Sequence, residues 1–139
     1  MEQTILLPND VAAVPRLAEF IDQVCESAGL DMGATMQMNL ALEEAVVNVM
    51  NYAYPQGTEG SVEVRAMEDG GTLLFVVKDR GTPFDPTAKA DADTTLSAEA
   101  RPIGGLGIHL VRQIMDRISY ERTADGCNVL TMQKRITAG

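Results

Sequence analysis

The chain predicts an α+β fold of two layers, with helices on one face of a mixed, mostly antiparallel sheet. Three observations predict it. Two hairpin signals, each a pair of strand-like runs around an Asp-Gly turn, lie in the later part of the chain. Two helix-length segments with apolar residues at 3.6-residue spacing fall mainly before them. Strands and helices therefore segregate, as in a sheet covered from one side, rather than alternating as in a parallel βαβ array.

In chain order, Thr4-Ile5-Leu6-Leu7 is a short apolar strand ended by the capping cluster Pro8-Asn9-Asp10. Leu17, Phe20, Ile21 and Val24 then recur at helical spacing up to Gly29, a C-terminal stop. A longer helix is expected from about Ala34 to Tyr54. Met38, Leu42, Ala45, Val46, Val49 and Ala53 form its stripe, Pro55 and Gly57 end it, and its methionines are expected to fill gaps in the core. Ser61 to Met67, the turn Asp69-Gly70-Gly71 and Thr72 to Lys78 form the first hairpin. Between Gly81 and Gly104 large apolar residues almost vanish, which predicts a long functional loop. Ile108, Val111, Ile114 and Met115 mark a short helix. Ile118 to Arg122, the turn Ala124-Asp125-Gly126 and Asn128 to Lys134 form the second hairpin.

The 139 residues are read as a single domain, 1–139, 45% hydrophobic and 22% charged, enough to bury roughly two-thirds of the unfolded surface. A formal charge of −9 and the lack of a Lys/Arg cluster exclude direct nucleic-acid binding as an expectation. Cys25 and Cys127 lack metal-ligand spacing and are read as free thiols in a reducing compartment. With neither a signal-peptide pattern nor a 20-residue apolar run expected, the reading is a cytoplasmic protein without a membrane partner.

Three segments can carry chemistry. Glu44 and Asn48, four apart on a helix, stack on one face, where a carboxylate takes protons and an amide oxygen can ligate a hard cation such as Mg2+; a solvated helix face reads the same way. Asp79, at the end of an apolar strand, can accept a hydrogen bond from an exocyclic amine, with Gly81 admitting a planar ring; Asp-x-Gly is also a common turn. Gly104-Gly105-Leu106-Gly107 opens into a helix whose free N–H groups suit a phosphate, although no Lys-Ser or Lys-Thr follows as in a P-loop; a hinge is the alternative. The three together, in this order within one small domain, read as an ATP site.

Ordered Glu-x-x-x-Asn, Asp-x-Gly and Gly-x-Gly boxes resemble the Bergerat ATP-binding fold of gyrase-type ATPases, Hsp90, mismatch-repair ATPases and histidine kinases. Within it, Glu44-Ala-Val-Val-Asn48-Val-Met-Asn-Tyr-Ala-Tyr-Pro55, Asp79-Arg-Gly-Thr-Pro-Phe-Asp85 and Gly105-Leu-Gly-Ile-His-Leu-Val-Arg112 resemble the anti-sigma factor serine/threonine kinases. The resemblance implies Glu44 as general base, Asn48 as Mg2+ ligand, Asp79 as reader of the adenine amine and Gly81 bordering the base. Gly105, Leu106 and Gly107 would lie at the phosphates, under a lid at about 85–103. Arg101, just before these glycines, is not part of a matched motif; it could touch the terminal phosphate, and a solvated loop arginine is the alternative. It also implies transfer of phosphate from ATP to a STAS-domain anti-sigma factor antagonist, binding of a sigma factor, and a homodimer. A nucleotide-gated regulator-binding module without phosphoryl transfer is the alternative. His109, the only histidine, is read as structural or incidental, because a phospho-accepting histidine needs a dimerisation helix. One departure is Gly126-Cys127-Asn128, where the family has threonine directly after the glycine, assisting the Asp at adenine. A thiol donates poorly, so that contact either weakens or passes to Asn128.

Overall fold

The computed structural model describes residues 2–54, 60–85 and 105–136, with residues 105–108 described by their backbone alone. Among the described residues five strands form one sheet in the order β1-β2-β3-β5-β4. They are β1 (Glu2–Pro8), β2 (Ser61–Asp69), β3 (Thr72–Asp79), β4 (Arg117–Arg122) and β5 (Asn128–Arg135). All four pairings are antiparallel. The central strand β3 lies between β2 and β5, so Asp79 is flanked by Val62 on one side and Asn128 on the other.

Among the described residues three α-helices lie on one face: α1 (Val14–Ala28), α2 (Met32–Asn48) and α3 (Gly105–Ile114), with α2 packed between the other two. The starts and stops follow from local chemistry. Asp10 caps the 3-10 turn Val11–Ala13 that leads into α1, and Asp31 caps α2 by accepting from the amide of Ala34. Gly29 closes α1 at φ 80°, a conformation that a side chain would strain.

The strand alternation sends Val62, Val64, Ala66, Leu73, Phe75, Val77, Leu130 and Met132 toward the helices, where all are buried. They meet Leu17, Ile21 and Val24 of α1, Met38, Leu42, Ala45 and Val46 of α2, and Val111 of α3 in one core. Met38 and Met50 fill it as expected, but Met32 and Met36 stand on the surface, 85% and 62% exposed. Residue 36 falls on the α2 face opposite Met38, so the expectation that the methionines of the Ala34–Tyr54 segment fill the core is corrected for Met36; Met32 precedes that segment.

The long second helix is not uniform. After Asn48 the ladder widens into a π turn, Val49–Ala53, with Val49, Met50 and Ala53 buried. An extra residue per turn there brings three of five side chains inward, which a constant 3.6-residue period cannot reveal.

Candidate functional site

Asp79 ends β3 and is only 3% exposed. Its carboxylate is held asymmetrically. Oδ1 accepts from the Gly81 amide at 2.8 Å and from Asn128 Nδ2 at 2.9 Å, while Oδ2 is buried without a hydrogen-bond partner among the described residues. Such a buried acceptor costs about 1–3 kcal/mol until something donates to it. Burial raises the Asp79 pKa; the donors Asn128 and Gly81 and the charge of Arg122 pull the other way.

The segment after Asp79 is pinned from several sides. Arg122 of β4 donates to the Gly81 carbonyl at 2.9 Å. Thr82 donates to the Ala53 carbonyl through its amide at 2.6 Å and its hydroxyl at 3.0 Å. A Cβ placed on Gly81 would lie 2.3 Å from that same carbonyl oxygen. The glycine is thus required by the backbone at the end of the π turn, a reason separate from admitting a ligand. The Tyr54 hydroxyl links the same end of the sheet, donating to the Ser61 carbonyl at 2.8 Å and accepting from the Arg80 amide at 3.0 Å.

These bonds join the Asp-x-Gly segment to the end of the helix that carries the other box. Asn48 is the last residue of α2 and is 4% exposed; Glu44, one turn earlier, is half-buried. Burial raises the Glu44 pKa, and the neighbouring charge of Glu43 adds to it. Burial also raises that of Tyr52, to which the charge of Glu44 contributes. Glu44 and Tyr52 therefore share one electrostatic environment at this end of the helix.

In the glycine-rich segment α3 begins at Gly105, so Gly105, Leu106 and Gly107 form its first turn, where amides lack intrahelical acceptors. Arg101, Gly104 and the segment expected as a lid beyond Asp85 lie outside the described residues. His109 is exposed, with Nε2 3.3 Å from the side-chain nitrogen of Gln113.

Sequence reasoning named Asn128 only as a possible substitute for the missing threonine. In the structure it is a hub: Nδ2 donates to Asp79 Oδ1 and, at 2.8 Å, to the Thr82 carbonyl, while Oδ1 accepts from the Phe84 amide at 3.2 Å and the Tyr120 hydroxyl at 2.5 Å. The β3–β5 register, which the sequence does not mark, makes Asp79 and Asn128 neighbours.

The Asp79 acceptor suits the exocyclic amine of a base. A ring carrying an exocyclic N–H donor would satisfy the orphaned Oδ2, and a base lacking that donor would leave it unpaired. The first-turn amides of α3 suit anionic oxygens. Asn48, buried and ending its helix, has the amide oxygen that a hard divalent cation accepts.

The fold, a five-stranded antiparallel sheet backed by helices, is that of the histidine kinase-like ATPases. Residues 7–134 match the family described as Histidine kinase-like ATPase domain. The chain belongs to that family. It is 27% identical over 95 residues to the serine/threonine-protein kinase BtrW of Bordetella bronchiseptica, covering 68% of this chain and 66% of that protein. It is 30% identical over 99 residues to the serine-protein kinase RsbW of Listeria monocytogenes, covering 68% and 63%. The chain thus spans slightly less than two thirds of the length of either relative. The fold is shared with part of a Mycobacterium tuberculosis chain that comprises RsbU and RsbW domains, at a TM-score of 0.72 and 17% identity, over all of this chain and 33% of that one. Among the described residues no helix is long and apolar enough to cross a membrane.

Proposed function

We propose that the protein is an ATP-dependent serine/threonine kinase of the anti-sigma factor type, which phosphorylates a STAS-domain anti-sigma factor antagonist and also binds a sigma factor. The observation that carries the ATP site is the Asp79 carboxylate, with one oxygen fully held and the other buried and unpaired. Kinase chemistry is supported by similarity to proteins named serine kinases and by a half-buried carboxylate, Glu44, whose raised pKa favours proton uptake.

In this reading Asp79 accepts from the adenine amine, and the first-turn amides of α3 bind phosphate oxygens. Asn48 would ligate Mg2+, which when bound offsets phosphate charge. Glu44 takes the proton of the substrate hydroxyl as its oxygen bonds to the γ-phosphorus and the bond to the ADP oxygen breaks. Arg101 would neutralise the terminal phosphate. The protein would act as a homodimer in the cytoplasm.

The test is transfer of labelled phosphate from ATP to a purified STAS-domain antagonist, with phosphoserine or phosphothreonine identified on the product. Transfer is expected. ATP binding with no transfer to such a protein would leave a nucleotide-gated binding module as the function, and no ATP binding would overturn the site itself.

A further inference from the structure

Asn128 is buried, 4% exposed, and its amide group is saturated. An amide side chain has two N–H donors and an oxygen with two lone pairs. Here both donors meet acceptors, Asp79 Oδ1 and the Thr82 carbonyl, and the oxygen meets two donors, the Phe84 amide and the Tyr120 hydroxyl. The orientation is unambiguous, because exchanging the nitrogen and oxygen would set acceptor against acceptor and donor against donor. No hydrogen-bonding capacity is left for a ligand. Asn128 therefore does not take over the contact to adenine that the missing threonine leaves open.

We propose that Asn128 is the positioning residue of the base site: it occupies Asp79 Oδ1, leaves Oδ2 as the single acceptor presented to a nucleobase amine, and fixes the Thr82–Phe84 backbone beside it. The inference rests on the ATP-site reading and adds to it the residue on which base selectivity depends.

Four segments meet at this amide: β3 through Asp79, the segment after it through Thr82 and Phe84, β4 through Tyr120, and β5 through Asn128 itself. A carboxylate with two equivalent free oxygens could rotate to offer either; one with a donor on Oδ1 from each side cannot rotate without breaking both bonds. The Gly81 amide and Asn128 Nδ2 are those two donors. Cys127, the residue at the usual threonine position, is buried and its backbone is engaged with Thr123, whose amide donates to its carbonyl and whose hydroxyl accepts from its amide. The hydrogen-bonding work of this corner has thus moved one residue along the strand, onto the side chain directly across from Asp79.

The ionisable groups facing this corner are Asp79 of β3, Arg122 and Tyr120 of β4, and Asp85 beyond the Thr82–Phe84 segment. Asn128→Asp is the informative substitution. It keeps the shape and the oxygen that accepts from Phe84 and Tyr120, but sets a second carboxylate where the donor to Asp79 stood. At neutral pH the two carboxylates repel and Oδ1 loses its donor. At lower pH the pair takes up one proton, and the resulting O–H can donate to Asp79 as the amide does.

The experiment is equilibrium titration of ATP and GTP into wild-type and Asn128→Asp protein across a pH series. For the wild type we expect ATP preferred over GTP, with ATP affinity falling as pH is lowered and Asp79 protonates. For Asn128→Asp we expect ATP affinity at neutral pH lower by about tenfold to a hundredfold, a smaller ATP-to-GTP ratio, and recovery of ATP affinity as pH falls. A purely structural role would lower the active fraction but move neither the ratio nor the direction of the pH profile. Wild-type affinity, ratio and pH profile in the variant would overturn the inference while leaving the ATP site intact; no ATP binding by the wild type would overturn both. Should Asn128→Asp not fold, the side-chain amide resonances of Asn128 in the wild type decide. They should shift on adding adenosine and stay unmoved with inorganic phosphate; no shift with adenosine overturns the proposal.

Discussion

The ring of Phe84 lies against the ring of Tyr52, with centroids 5.5 Å apart and planes 26° from parallel. The stack joins the segment after β3 to the π turn after Asn48, beside the carboxylate of Glu44. Such pairs add about 0.5–1.5 kcal/mol beyond their buried area. A double-mutant cycle with Tyr52→Leu and Phe84→Leu, read by urea unfolding, should return a coupling energy in that range. Additive effects would mean that the rings are adjacent without stabilising one another.

Asp79→Asn should weaken ATP binding by about 1–3 kcal/mol, because an amide presents both a donor and an acceptor where only an acceptor is wanted. Calorimetric titration measures it, and unchanged affinity would remove Asp79 as the base reader.

The same carboxylate makes a prediction about pH. Burial raises its folded-state pKa above the unfolded value. Its contribution to stability without nucleotide is therefore complete below the unfolded pKa, about 4, and is lost as pH rises through the raised value. ATP affinity should change in the opposite sense, since the anion is the better acceptor. Comparing thermal melts of wild type and Asp79→Asn over this interval isolates the contribution; identical pH dependence of the two proteins would contradict it.

Gly81→Ala should destabilise the fold by at least about 1–3 kcal/mol, the scale of overpacking. The new methyl would meet the Ala53 backbone, which cannot swing aside as a flexible side chain can. Chemical denaturation measures the loss. Wild-type stability would show that the junction between β3 and the π turn yields easily.

Glu44→Gln preserves size and helix propensity while removing the base. If Glu44 accepts the substrate proton, ATP binding should persist while phosphoryl transfer falls by roughly 10²- to 10⁴-fold. Undiminished transfer by the variant would assign the proton to another group.

The Cys25 thiol is pushed up to about 11, chiefly by burial, with the Thr35 hydrogen bond opposing and the charge of Asp22 adding. In a Cys127→Ser background, alkylation of Cys25 near pH 8 should follow unfolding of the chain and be negligible in the folded protein. Rapid labelling under native conditions would show that α1 opens locally.

The five strands and three α-helices were legible from periodicity and turn residues, because an antiparallel sheet covered on one side imposes strict alternation on its strands, as in Val62, Val64 and Ala66. Gly29 and Asp10 announced helix ends by known capping chemistry, whereas the cap at Asp31 emerged only in the structure. The widened turn at Val49–Ala53 was not legible, since its apolar residues also suit an ordinary helix. Nor was the hub at Asn128. Its partners Asp79 and Thr82 stand 49 and 46 residues away in sequence, and only the β3–β5 register makes them neighbours. Composition near Asn128 carries no mark of that register, whereas Asp79 is conspicuous as a lone acid ending an apolar strand.

The unpaired oxygen of Asp79 sets heat resistance against activity. A protein selected only to survive higher temperature would gain from a neighbouring change that gives Oδ2 a donor from within the protein, since replacing Asp79 itself would strand the Gly81 amide and Asn128 Nδ2. Survivors with Oδ2 satisfied in this way should have lost nucleotide binding. Thermostable variants of this domain are best sought at positions remote from β3's end, with ATP present during selection so that the occupied state is the one rewarded.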